Sequence, residues 1–359
     1  MKKVFLFAYD NVNLGDDLFI HFITHRYPNI KFYFWTDKKN KRVFSNCSNL
    51  RVVDEKGWII RTLNRIRPSF PVRYKYWCEK KCDLSLYVGG SIFIEYPNWI
   101  NQINWLDYQV RHYKFYVLGA NFGPYHEEKY RNQLKLVFDN MEDVCFRDLY
   151  SKNKFQDCVK VRYAPDILLS FPMPKVEIKG KQVFISVIDC EGRMELEEYD
   201  ENYISNMTSF IKKFIQDNCN IVLSSFCAKE GDELAIEKIM NRLEVKEKKK
   251  VMVLNYNGLN LSEMLRTIAE SDFIVGTRFH SIILSLAANR PCLPIIYSDK
   301  TAHILQDLNF KGEIIDLRKN SKWNFYESKE NWNDRVKQID NTMKSMSQLH
   351  FEKLDKILE

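Results

Sequence analysis

Arg278 and His280 stand two residues apart at the head of an apolar helical run. Ahead of them Phe273-Ile274-Val275 reads as a buried strand and Gly276-Thr277 as its turn, while Ile282 to Ala288 continues as helix. A strand–glycine–helix junction leaves backbone N–H groups without intrahelical partners, and a helix N-terminus favours an anion. A permanently charged guanidinium beside a titratable imidazole suits an acidic, phosphate-bearing substrate and a proton transfer. Read alone, the pair is accounted for equally well by an ordinary turn with one surface arginine and one packed histidine.

Turns of the same kind recur upstream. The run Val4–Ala8 leads into Asn13-Leu14-Gly15-Asp16-Asp17, and Leu84–Val88 leads into Gly89-Gly90-Ser91. Phe115–Leu118 leads into Gly119-Ala120-Asn121-Phe122-Gly123-Pro124. Glycines at such junctions let backbone approach a ligand closely, where open α/β sheets bind ligands. Asn13, Gly15, Asp17, Gly89, Gly90, Ser91 and Asn121 are therefore expected to line a cleft.

In order along residues 1–312, the segments Asn13-Leu14-Gly15-Asp16, Gly89-Gly90 and Gly119-x-x-x-Gly123-Pro124 are followed by Phe146-Arg147-Asp148 and Ala164-Pro165-Asp166. Gly276-x-Arg278-x-His280-Ser281 and Tyr297-x-x-Lys300 complete the set. Together they resemble the polysaccharide pyruvyl transferase family. Ser91 stands where a third glycine is commoner, and Phe279 and Ser281 stand where Leu and Ala are usual.

The alternation of strands and helices on both sides of Phe171-Pro172-Met173-Pro174 predicts an α/β protein with parallel units in each half. The resemblance implies two Rossmann-like domains facing a cleft, the GT-B-type architecture. The expected bounds are an acceptor-side domain over 1–172, a donor-side domain over 176–329, and a helical tail over 330–359 that packs back on the first domain.

The implied reaction moves the enolpyruvyl group of phosphoenolpyruvate, a co-substrate, onto two hydroxyls of a sugar in a cell-surface or capsular polysaccharide precursor. Arg278 and Arg147 would supply forks for the carboxylate and phosphate, with Lys300 as a third charge and Ser281 beside them. His280 is the candidate acid for the methylene carbon, since an ordinary imidazole titrates near neutrality. Asp16 is the candidate base for the acceptor hydroxyl; capping of the following helix is the competing reading, and Asp17 competes for both roles. Arg147 has its own structural alternative, a pair with Asp148 or Asp166. A nucleotide-sugar glycosyltransferase and an inert sugar- or phosphate-binding regulator stay open on the same scaffold.

Composition sets outer limits. A chain of 359 residues suits two cores. Its net charge of +7 is too dispersed to indicate nucleic acid. Nine scattered cysteines form no C-x-x-C pair and read as reduced, packed thiols. Cys78 and Cys82 lack the further ligands a zinc site needs, and neither a metal nor a cofactor is expected. No apolar run has the length of a bilayer span, and no secretory leader is visible, so a cytoplasmic location is expected. From Arg61 to Lys81, basic residues interleave with Tyr74, Tyr76 and Trp77. That pattern suits the surface of an anionic membrane, where a lipid-linked acceptor would be carried, and a solvated loop and helix face explains it as well.

Overall fold

Short runs rich in aromatic and β-branched residues alternate along the chain with helices that carry one apolar face, and each run becomes a parallel strand. The computed structural model describes residues 1–54, 62, 70–178, 180–193, 195–319, 323 and 339–359. These fall into two compact units. The first comprises Met1–Asn11, Asp16–Ile167 and Met346–Glu359; the second comprises Val12–Gly15 and Leu168–Ser345.

In the first unit the strands are β1 (Lys3–Phe7), β2 (Lys31–Thr36), β3 (Leu50–Asp54), β4 (Leu84–Val88), β5 (Phe115–Ala120), β6 (Asp143–Phe146) and β7 (Val161–Tyr163). They pair in parallel in the order β3-β2-β1-β4-β5-β6-β7. The chain reverses its direction of winding between β1 and β4, and Gly89 to Ser91 leave the carboxyl end of β4 at that point. Beside β1 and β5, Phe5, Phe7, Phe115 and Val117 meet Leu134, Val137 and Phe138 of the Glu128–Asp139 helix in one buried core. The apolar positions of that helix recur at helical spacing, which places its buried side on the sheet.

The tail beyond Met346 belongs to this unit. Phe351 and Leu354 are fully buried, and Asp355 forks Arg26 through Nε and Nη2 at 3.2 and 2.7 Å. Buried His350 meets the Pro165 carbonyl through Nε2 at 3.0 Å. The part of the expected tail from 330 to 338 lies outside the described residues.

The second unit repeats the arrangement with β8 (Gln182–Ser186), β9 (Asn220–Ser225), β10 (Val251–Asn255), β11 (Phe273–Gly276), β12 (Cys292–Ile296) and β13 (Ile315–Asp316). Their order is β10-β9-β8-β11-β12-β13, all parallel. Here the winding reverses between β8 and β11. The Asp200–Gln216 helix buries Tyr203, Ile204, Met207 and Ile211 against Val183, Ile185, Leu223 and Val275.

All nine cysteines are free thiols. Among the described residues no helix is long and apolar enough to cross a membrane. Of the basic segment, Arg61, Arg65 and Arg67 lie outside the described residues. On the Phe70–Lys80 helix Arg73, Trp77 and Lys80 are exposed, and the Lys81 ammonium lies 3.4 Å from the centre of the Trp77 ring.

Candidate functional site

The second unit assembles its polar cluster where the strand order reverses. β11 ends at Gly276, and the Phe279–Ala287 helix begins three residues later. The Ser186 hydroxyl, at the end of β8, accepts the Thr277 and Arg278 amides at 3.1 Å each. Those two N–H groups, expected to face an anion, are thus satisfied by the neighbouring strand. Ser281 is tied to the same strand: it is fully buried, and its hydroxyl is 2.6 Å from both Ser186 Oγ and the Arg278 carbonyl. These contacts fasten the turn to β8.

Arg278 is buried as well, and its fork is directed at carboxylates. Its Nε donates to Asp232 Oδ2 at 2.8 Å, its Nη2 to Asp232 Oδ1, and its Nη1 to Glu230. Asp232 is held in turn by the Phe226 and Cys227 amides at 3.0 Å each. Burial works against the guanidinium charge, but Asp232 and Glu230 outweigh it and push the Arg278 pKa up. Burial alone would raise Glu230; Arg278 and then Arg193 reverse this and hold its carboxyl at about 2. Three of the five guanidinium N–H groups of Arg278 are committed in this way.

Sequence reasoning missed Arg193. It follows β8 in a loop pinned by Asp189, whose Oδ2 accepts the Gly192 amide at 2.9 Å. Its Nη2 donates to Glu230 Oε2 at 2.6 Å, and its guanidinium lies 5.6 Å from the centre of the Tyr297 ring. Its Nε is buried without a hydrogen-bond partner among the described residues. Lys300 is half-buried, its ammonium 5.7 Å from the Phe279 ring centre.

His280 sits against the glycine of the first motif. A Cβ built on Gly15 would lie 1.7 Å from His280 Nδ1, so only glycine permits the ring where it is. Gly15 is positioned by its neighbours: Leu14 N–H donates to the Phe226 carbonyl at 3.1 Å, and Asn13 Oδ1 accepts the Gly15 amide at 3.1 Å. Asn13 is therefore the residue that caps the Leu14–Arg26 helix. Asp16 and Asp17 lie in the first turn of that helix, where negative charge is favoured. Asp17 is buried and Asp16 half-buried, which separates the two candidates for a base.

In the first unit the motif residues converge on a buried network. Arg147 donates to Asp166 Oδ2 from Nη1 and to Asn121 Oδ1 from Nη2, both at 2.9 Å. Of the two partners offered for Arg147 in the sequence, Asp166 is the one it pairs with. Asp148 instead caps the Leu149–Lys154 helix, accepting the Ser151 amide at 2.7 Å. Gly90 has no room for a side chain, because its Cβ would fall 2.2 Å from Arg147 Nη2. The Asn121 amide donates to the Gly90 carbonyl at 2.7 Å, and exposed Ser91 reaches Asn121 Oδ1 at 3.5 Å. Buried Gly89 adopts φ +149°, a conformation open to glycine. Asn121 Nδ2 is buried without a hydrogen-bond partner among the described residues.

Two kinds of comparison bear on this arrangement. Among solved structures, HepE of Anabaena in complex with UDP-glucose superposes with a TM-score of 0.56 at 12% identity, covering 100% of this chain and 98% of that one. The UDP-GlcNAc 2-epimerase of Methanocaldococcus jannaschii gives a TM-score of 0.58 at 12% identity, covering 99% and 100%. At such identity the likeness shows the fold alone, an α/β protein of GT-B type. Among characterised sequences, the amylovoran biosynthesis protein AmsJ of Erwinia amylovora is 21% identical over 262 residues. That match takes in 67% of this chain and 62% of AmsJ. The sequence profile of polysaccharide pyruvyl transferases matches residues 13–300, from the Asn13 cap to Lys300, and the chain belongs to that family.

Proposed function

We infer that the protein transfers the enolpyruvyl group of phosphoenolpyruvate to two hydroxyls of a sugar destined for a surface polysaccharide, forming a cyclic ketal. One observation carries this reading: the family match spans residues 13–300, a stretch that holds Asn13, Asp16, Arg147, Arg278, His280 and Lys300. In this reading Lys300, Arg193 and the uncommitted N–H groups of Arg278 take the donor's carboxylate and phosphate. Asp232 and Glu230 hold the Arg278 fork in place and cancel charge that would otherwise repel the neighbouring cations.

His280 delivers a proton to the methylene carbon, and the carbon bearing the phosphate becomes electrophilic. A sugar hydroxyl adds there while Asp16 accepts its proton. Phosphate then leaves with the electrons of the C–O bond, and the second hydroxyl closes the ring, releasing its own proton. The methyl of the ketal thus carries the proton supplied by the acid.

Ligand-dependent melting tests the donor. A ligand that binds only the folded chain at 100 times its Kd stabilises it by about 2.7 kcal/mol. Phosphoenolpyruvate is expected to raise the melting temperature, and UDP-glucose or a CMP-sugar to leave it unchanged. A rise with a nucleotide sugar and none with phosphoenolpyruvate would replace this reading with a glycosyltransferase.

A further inference from the structure

A second cluster of chemically able side chains lies in the first unit, apart from the motif residues. The Leu14–Arg26 helix carries His21 and His25 one turn apart, and Cys47, a few residues ahead of β3, reaches the same helix. Cys47 Sγ lies 3.3 Å from His21 Nδ1. One ligand-capable atom from each of the three residues lies within 4.8 Å of the other two. His25 Nδ1 donates to the His21 carbonyl at 2.7 Å, which leaves Nε2 as the nitrogen with the lone pair. His21 and Cys47 are buried, whereas His25 is exposed.

We propose that His21, His25 and Cys47 form a binding site for a zinc-like divalent cation, with the fourth position open to water on the His25 side. Two imidazoles and a thiolate are the ligands that borderline-soft d-block ions take, and among the described residues no carboxylate joins the cluster to favour Mg²⁺ or Ca²⁺. Zinc lies about 2.0–2.1 Å from nitrogen and 2.3 Å from sulfur, so tetrahedral ligation separates N and S by about 3.5 Å. The pair of His21 and Cys47 already stands near that separation, and only the exposed His25 ring has to close.

The surroundings agree with this assignment. His21 Nε2 is buried with no hydrogen-bond partner among the described residues, and Nδ1 is the nitrogen that faces Cys47 Sγ. The Thr24 hydroxyl is 3.3 Å from Cys47 Sγ, within reach of a thiolate. Ligation exchanges the thiol proton for the metal and releases that proton to solvent. Its structural effect is to tie the first helix to the segment that precedes β3.

Titration of the full-length protein with Co²⁺, a spectroscopic substitute for Zn²⁺, tests the site. One equivalent is expected to give a thiolate-to-metal charge-transfer band that Zn²⁺ abolishes by displacement. Cys47→Ala should lose the band. His25→Ala, at an exposed position that leaves the fold intact, should weaken binding by at least about ten-fold. Absence of the band in wild type overturns the proposal, as does its survival in Cys47→Ala, which would assign it to another of the eight thiols. If Cys47→Ala does not fold, His25→Ala decides: unchanged Co²⁺ affinity in that variant overturns the site.

Discussion

His280 occupies the space that any side chain at Gly15 would need, and this contact joins the first motif of the chain to one of the last. Adding one methyl at Gly15 must rotate the imidazole away while leaving the rest of the core untouched. Gly15→Ala is therefore expected to lower turnover about as far as His280→Gln, by roughly 10²–10⁴-fold, with little change in melting temperature. Steady-state kinetics beside thermal melts check both halves. Near wild-type turnover in His280→Gln would leave this histidine a packing role. The candidate residues were legible because they fall in short motifs at strand ends. Their partners were not: Asp232 and Glu230 meet Arg278 from a distant turn, and Arg193 lies in a loop with no periodic or motif signal. The pairing of Ser281 with Ser186 was illegible for the same reason, since Ser186 lies at the end of a strand distant in sequence.

At the level of elements, the strands that sequence reading recovers best are largely buried ones. β1, β4, β5, β8 and β11 read as mainly apolar runs, as strands covered on both faces do. β7 and β13, with three and two residues, are too short to carry a pattern. The Phe70–Lys80 helix hides a feature that its basic outer face conceals. Glu79 is fully buried, with Ser85 Oγ donating to it at 2.6 Å. Burial pushes its carboxyl up to about 7, against weaker opposing pulls from Ser85, Lys75 and Gln109. Because the folded form binds the proton more tightly, its stabilising contribution is complete below the ordinary glutamate value of 4.5 and is lost as pH rises through about 7. Urea melts across that window should show a decline of roughly 1–3 kcal/mol that Glu79→Gln removes. An identical slope in the variant would place the titrating group elsewhere.

Across the whole molecule, chain order and spatial order part company at two places. Val12–Gly15 counts with the second unit although it lies near the start, and Met346–Glu359 counts with the first although it lies at the end. Alternating patterns announce two α/β units, but no local signal says that a short N-terminal stretch leaves its own sheet's unit or that a tail returns. The division after Ile167 also precedes the proline pair at 172 and 174 that breaks the sequence pattern. The proposed function is a single chemical event, and one measurement reads it. The protein is incubated in D₂O with phosphoenolpyruvate and a panel of galactose-, glucosamine- and mannosamine-type acceptors, and phosphate release and product are followed together by NMR. The account predicts stoichiometric release of phosphate and a ketal whose methyl carries one deuterium from solvent. Turnover of a UDP-sugar by the same preparation, with phosphoenolpyruvate left unconsumed, would contradict it.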